Sequence, residues 1–223
     1  MKYTFEEIKQ AQTSNIWTIG NNFLYEMCEQ YPLHNDKAVF LSKIWLIGRS
    51  YSAAIERRKQ NNAITNDEFY EDLIGEGILK VGSKIDESIK LLKPHKKISF
   101  ENDTKILELH HLLTQTFESL TGMSKRSLAS KYLHFHLPQL FYIYDSRARN
   151  AINEVFRSDS LLNQRLKSLS KTLKYDDDYA KFSNKMFLLN QEIENKYDIW
   201  LSPRELDNLL LNFNNKLFSF FKP

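Results

Sequence analysis

The chain has 223 residues, 42% of them hydrophobic and 13% aromatic, an ordinary globular composition long enough to bury a core without staples. Only 6 Gly and 5 Pro argue against a turn-rich β protein, and the single cysteine, Cys28, excludes a disulfide framework and a Cys-rich zinc site. A net charge of +3 hides basic clusters at 49–59, 90–97 and 125–131 and acidic ones at 67–72 and 176–178, the pattern of a protein that meets a polyanion with one face or of ordinary solvated helix faces.

The polar start MKYTFEEIKQ and the lack of any long apolar run point away from a secretory signal or a membrane span, so a cytoplasmic protein is expected. Thr4 and Glu7 form a capping box, predicting a helix from about Phe5 with an imperfect stripe of Ile8, Ala11, Ile16, Ile19 and Phe23, broken near 13–15. Cys28, among Leu24, Met27 and Tyr31, reads as a packed thiol. Asp36 opens a second helix through KIWLIGRSYSAAIERRK, with Gly48 in its middle marking a close approach or tolerated slack. Arg49, Glu56 and Arg57 fall on neighbouring turns of that pattern, as a solvated ion-pair face or a basic wall beside a pocket.

Thr65 or Asn66 caps a third helical run to Pro94, whose glycines Gly75, Gly77 and Gly82 predict a kink or a break, since no strand precedes them to make a phosphate loop. The basic linker at 94–100 is the best internal boundary. Asn102 or Asp103 starts a strongly amphipathic helix striped by Ile106, Leu109, His110, Leu113, Phe117 and Leu120. Ser146, or Asp145 before it, caps a further helix. Short helices are expected over 161–173, a longer one from Asp176 or Asp177, and a last one from the Ser202-Pro203 cap to Phe221. The only strand-like run is the short LFYIY, so the class is all-α.

The informative stretch is 120–149, LTGMSKRSLASKYLHFHLPQLFYIYDSRAR, which reads as a tight turn, a basic amphipathic helix, an apolar extended run and a carboxylate. Gly122 permits the positive φ of a helical hairpin, and the start of the second helix offers free N–H groups beside Lys125, Arg126 and Ser127, a site suited to phosphate. Histidines 110, 111, 134 and 136 lack zinc-like partners, and His134 and His136 point apart on a helix, so no metal is expected. His136 ends its helix, where the dipole favours a cation.

The L-T-G-M-S turn followed by a helix, an apolar run and F-Y-I-Y-D-S resembles the helix-hairpin-helix DNA glycosylase superfamily, whose signature is L-P-G-V-G, a helix, an apolar run and a catalytic Asp. The nineteen residues from Arg126 to Asp145 match the family's lysine-to-aspartate separation. Thr121 replaces its proline, Ser124 its second glycine, and Arg126 its Schiff-base lysine, and arginine is a poor amine nucleophile. S-L-A-S-K-Y-L-H-F-H-L-P with I-Y-D-S-R, and L-S-P-R-E-L-D near the C-terminus, also look like uncharacterised bacterial relatives of the same superfamily.

The resemblance implies one helical glycosylase-like domain over 1–223, with two lobes flanking a cleft, a boundary near 94–100 and the hairpin segment at 104–145. It implies excision of a modified or damaged base, in repair or antiphage defence, by a monomer acting in the bacterial cytoplasm on double-stranded DNA with the base flipped out and no cofactor. Asp145 would be the catalytic carboxylate and Lys131 or Lys125 the amine if lyase chemistry occurs. Gly122, Ser124, Lys125, Arg126 and Ser127 would grip the DNA backbone, and Trp45, Arg49, Tyr51, Tyr142 and Tyr144 would wall the base pocket. Core packing competes for each aromatic and helix capping for Asp145. A non-catalytic DNA-binding module on the same hairpin and a helical protein-interaction domain are the alternatives.

Overall fold

The computed structural model describes residues 3–57, 65–156 and 173–219, with side chains described to residue 212. The described residues contain helices and loops and no strand. The Thr4–Glu7 capping box starts α1 (Phe5–Ala11), and Trp17 precedes α2 (Thr18–Gln30). Asp36 caps α3 (Lys37–Ser50) through a bond from the Val39 N–H. Another capping box, Thr65–Glu68, opens α4 (Asn66–Glu68), which runs on through a π-helical segment (Phe69–Gly75) into α5 (Glu76–Leu79). The chain breaks at Lys80–Val81 before α6 (Gly82–Leu92), the break that the glycines predict, while the π-helical widening is not signalled by them.

The helix predicted through Lys59 stops at Ser50, and residues 58 and 59 lie outside the described residues. Ser52 takes a left-handed φ of 52°, and the Ala53 N–H bonds back to the Gly48 carbonyl at 2.7 Å while the Ser52 N–H reaches that of Arg49 at 3.3 Å. This paired closure satisfies the last carbonyls of the helix. The chain folds back close over Gly48, where a Cβ would lie 3.1 Å from Ala54 Cα, a tight contact. The reversal frees residues 51–57 from the helix.

Beyond the break, α7 (Asp103–Thr121) ends at Gly122, whose φ of 71° supplies the left-handed cap expected of the hairpin. Lys125, also left-handed at φ 47°, leads into α8 (Arg126–His136). The later helices are α9 (Ser146–Val155), α10 (Asp177–Tyr197) and α11 (Pro203–Ser219). Asp145, not Ser146, caps α9, and Asp176 caps α10. The short helices expected over 161–173 lie, apart from Leu173, outside the described residues, as does Phe221.

Helix α8 is the centre of the molecule. Its eight consecutive residues from Leu128 to Phe135 are buried, and α2, α3 and α7 pack around it. A helix buried on every face is not the basic amphipathic helix the sequence suggests. Its polar residues are needed because the following segment, Phe141–Tyr144, is buried and irregular, with no strand beside it among the described residues. Buried backbone groups must be paired, and side chains do it. Ser130 Oγ accepts the Tyr144 N–H at 3.0 Å, Lys131 Nζ donates to the Tyr144 carbonyl at 3.2 Å, and the His134 ring donates through Nδ1 to the Phe141 carbonyl at 2.9 Å. From α10, the Tyr179 hydroxyl donates to the Tyr142 carbonyl at 3.2 Å.

Behind α8, buried Lys43 donates to the Tyr31 carbonyl at 2.9 Å and to His136 Nε2 at 3.4 Å. Burial, and then the Lys43 charge, hold the His136 imidazole well below the ordinary histidine range. It is therefore neutral, and not the helix-end cation that the dipole argument predicts. Helix α11 returns to the chain start, where Asn208 Nδ2 donates to the Ala11 carbonyl at 3.2 Å. One contiguous buried core includes residues on both sides of 94–100, with Ile98 itself buried in it.

Candidate functional site

A cleft of about 1210 Å³ opens where five parts of the chain meet. These are the approach to α2 (Asn15 to Leu24), the reversal after α3 (Ser50 to Arg57), the hairpin and α8 (Met123 to Lys131), the segment 144–149 and α11 (Arg204 to Leu211). Its lining carries six cations, Arg57, Lys125, Lys131, Arg147, Arg149 and Arg204, against two carboxylates, Asp145 and Asp207. Such an excess raises the local concentration of anionic ligands.

Asp145 stands at the mouth of the cleft, half-buried, in extended backbone. One oxygen accepts the Ala148 N–H at 2.8 Å and so caps α9. The other makes no hydrogen bond within the described residues. Beneath it lies Lys131, 2% exposed, donating to Ser127 Oγ at 2.7 Å and to the Tyr144 carbonyl. An ammonium has three N–H donors, so one remains beyond these two bonds, and Nζ lies 6.0 Å from the centroid of the Tyr51 ring. Burial lowers the Lys131 pKa, while the nearby Asp145 and Asp207 charges resist that shift.

The floor is supplied by α11. Arg204 lies over the rings of Tyr51, at 5.4 Å, and Phe135, at 5.7 Å, from their centroids. Its Nε donates to the Tyr25 hydroxyl at 3.3 Å, and the Tyr25 hydroxyl lies 2.7 Å from His134 Nε2. The Phe141 carbonyl can only accept, so His134 carries its proton on Nδ1 and takes the Tyr25 proton at Nε2. The order Arg204, Tyr25, His134, Phe141 is thus a one-way chain of donors that pins the guanidinium. Burial keeps His134 neutral, so it is a structural residue.

Asp207, one turn along α11, is 3% exposed, with Oδ2 3.7 Å from Arg204 Nη1. Burial, with Asp145 adding to it, pushes its carboxyl up to about 7 against the pull of Arg204, Lys131 and Arg147. Asp207 Oδ1 and Arg204 Nη2 are buried without a hydrogen-bond partner. A buried polar atom left unpaired costs about 1–3 kcal/mol, and the buried hydroxyl of Tyr144, which also lines the cleft, is a third such atom.

The expected site residues divide. Asp145, Lys131, Lys125, Ser127, Tyr51 and Tyr144 line the cleft. Lys125 Nζ is turned to the Arg57 carbonyl at 2.6 Å, tying the hairpin to the reversal after α3. Arg126 does not line the cleft. It pairs with Asp176 at 2.5 Å and Asp178 at 3.2 Å at the start of α10, and although burial works the other way, this pair and the Tyr179 N–H hold the Asp176 carboxyl below its usual range. Gly122 and Ser124 shape the turn from outside the lining. Trp45 is about half exposed, and Arg49, ion-paired to Glu56, lies against it. Both sit on the face of α3 opposite the buried Ile44 and Ile47, away from the cleft. Tyr142 is buried in the core. The corrected wall is therefore Tyr51 and Tyr144, joined by Trp17.

Arg57, Arg147, Arg149, Arg204 and Asp207 were not singled out as site residues from sequence, although Arg57 was weighed as part of a basic wall. For Asp207 a signal exists: Pro203, Leu206 and Leu210 are all buried, and Asp207 occupies an otherwise apolar position of that stripe. Among the described residues no three His, Cys, Asp or Glu side chains are grouped to hold a metal, and no helix is long and apolar enough to cross a membrane. No family model, curated protein or solved structure matches the chain.

Proposed function

We propose that the protein is a DNA glycosylase of the helix-hairpin-helix type that hydrolyses the N-glycosidic bond of a modified or damaged base. The observation that carries the reading is the placement of Asp145 and Lys131 together in one cationic cleft beside the hairpin. As the C1′–N bond lengthens, positive charge develops on the deoxyribose, and the Asp145 carboxylate stabilises it. The bonding electrons leave with the base, which takes up a proton, and a water adds to C1′ and loses its own proton. Arg57, Lys125, Arg147 and Arg149 suit a phosphate backbone laid across the opening, and the Tyr51 and Tyr144 rings suit a base turned out of its stack. Lys131 is the amine in reach if the sugar is captured covalently, with burial favouring the neutral form that attack requires.

The same contacts favour a second reading, a DNA-binding module without catalysis, because Asp145 caps α9 and Lys131 braces the Tyr144 carbonyl. One assay parts them. Duplexes carrying deaminated, oxidised, alkylated or hypermodified bases are incubated with the protein and then treated with alkali. Strand cleavage at the modified position, lost in Asp145→Asn, is expected. Retained binding with no cleavage on any substrate leaves only the second reading.

A further inference from the structure

Large apolar side chains exposed singly or in pairs, such as Leu91 or Trp45 with Leu46, are ordinary surface. The start of α2 differs. Ile16, Trp17, Ile19 and Phe23, four within eight residues, are exposed by 86, 68, 71 and 66%. Ile16, Ile19 and Phe23 recur at the three- and four-residue spacing of one helix face, and Trp17 and Gly20, on the adjoining face, line the cleft. No residue from Ile16 to Tyr25 carries a charge. An uncharged apolar ridge thus flanks the cationic cleft.

Two positions of this ridge run against the stability of α2. Trp17 holds the N-cap position and makes no side-chain capping bond, where Ser, Thr, Asp or Asn would stabilise the helix. Gly20 weakens the helix, yet a Cβ there would meet nothing within 4 Å, so packing does not require it. Local choices that oppose the fold concentrate where a chain serves a ligand, and both of these line the cleft.

We propose that the ridge is a stacking surface for unpaired nucleotides, so that the protein takes single-stranded DNA, or duplex opened beside the target base, in preference to intact duplex. The partner of this region must present apolar faces next to negative charge, because the ridge adjoins the cleft that Arg57, Arg147 and Arg149 make cationic. A single strand does so: its phosphates meet the cations while its unstacked bases lie on the Trp17 indole and the aliphatic side chains beside it. An intact duplex hides its base faces and would lay sugar and phosphate over the ridge. A bilayer also sets apolar matter beside anions, but it is flat, and part of the cleft's charge, Lys131 and Arg204, lies in the concavity beyond its reach. The assignment deepens the readings above and rests on the DNA that both place in the cleft, not on excision.

The test is an anisotropy titration of the full chain, at one salt concentration, against labelled oligothymidylate about 20 nucleotides long and an unmodified duplex of the same length. Charge alone favours the duplex, whose charge density is higher, so a preference for the single strand reports apolar contact. The wild type is expected to bind the single strand at least about tenfold more tightly than the duplex. Changing Ile19 and Phe23 together to glutamine, a good helix former, should bring the two affinities within about twofold of each other. Trp17→Ala, with the same expectation, serves should the glutamine variant fail to fold. Equal affinities in the wild type, a preference for the duplex, or a preference that survives in the folded variant overturns the assignment. So does a wild type without strand preference that binds phosphatidylserine vesicles, or dimerises in light scattering, and loses this with the glutamines; the ridge then belongs to a membrane or to a second copy. If the preference holds and depends on the ridge while no modified substrate is cut, the glycosylase reading falls and the ridge stands. If excision occurs without strand preference, the ridge alone falls.

Discussion

Lys131 donates its ammonium proton to the main-chain carbonyl of Tyr144, 3.2 Å away, the residue immediately before Asp145. One bond therefore ties the buried helix of the hairpin to the backbone that presents the carboxylate. The amine and the carboxylate cannot drift apart without uncovering a buried carbonyl.

Capping and chemistry separate at Asp145. Asparagine caps a helix about as well as aspartate, so Asp145→Asn is expected to keep its stability within a few tenths of a kcal/mol, whereas Asp145→Ala loses about 1 kcal/mol. Both should lower single-turnover excision at least ~100-fold, because both remove the charge. Urea unfolding alongside the excision assay reads the two effects. Full activity in Asp145→Asn would remove this residue from catalysis.

Replacing Lys131 by methionine keeps the bulk of the side chain but leaves the Tyr144 carbonyl unpaired and removes a cation from between two carboxyl groups. A loss of about 3 kcal/mol is expected by denaturant titration. In the folded fraction, borohydride trapping of protein on DNA, if present in the wild type, should vanish. Trapping that persists would shift the amine to Lys125.

Asp207 carries a pH signature. Its folded carboxyl titrates at about 7 and an unfolded one near about 3.9, so between those values the native state binds the extra proton. Stability from this group is full below the unfolded value and is lost as pH rises through the folded one, by roughly 4 kcal/mol at most. The groups facing it are Arg204, Lys131, Arg147 and Asp145. Buried His34 and His110, lowered to about 4 and about 3, act with the opposite sign, gaining stability as pH rises towards the unfolded histidine value. The measurement is therefore the difference between wild type and Asp207→Asn, whose stability advantage should grow from pH 4 to pH 8.

Two glycine substitutions check the helix packing. At Gly82 an added Cβ would fall 2.4 Å from the His34 carbonyl oxygen, whereas at Gly20 nothing lies within 4 Å. Gly82→Ala should cost about 2 kcal/mol or more, since backbone has to move, and Gly20→Ala should stabilise α2 by roughly 0.5–1 kcal/mol. Thermal unfolding distinguishes the opposite signs.

Arg147 and Arg149 lie beyond Asp145 on the first turn of α9, exposed at the rim. Each change to alanine should weaken DNA binding to all sequences alike and reduce the slope of log affinity against log salt by about 1. Anisotropy titrations at several salt concentrations supply both readings. An unchanged slope would place the DNA elsewhere.

Much of the fold follows from local signals. Thr4–Glu7, Asp36, Thr65–Glu68 and Asp176 act as caps where their spacing says they should, because each bond closes over three residues. Gly122 takes the left-handed conformation for the same local reason. The helix predicted through Lys59 shows the limit. Its apolar spacing continues past Ser50, but the left-handed turn at Ser52 and its backbone bonds to Gly48 and Arg49 end the helix, which periodicity does not report. Trp45 and Arg49 were misplaced with it, since their distance from a pocket depends on which face of α3 is buried.

The sequence by itself determined the all-helical class, the hairpin turn and the carboxylate that follows it, all set by backbone hydrogen bonding over a few residues. Only the tertiary structure decided what the charged residues meet. Arg126, at the position where the resemblance expects a lysine, is captured by Asp176, fifty residues on. Buried Lys131 donates to the carbonyl of an irregular segment that has no strand beside it among the described residues. Arg204 and Asp207 reach the cleft only because α11 folds back against α9. Burial and charge pairing depend on neighbours distant in the chain, and those neighbours are set by packing.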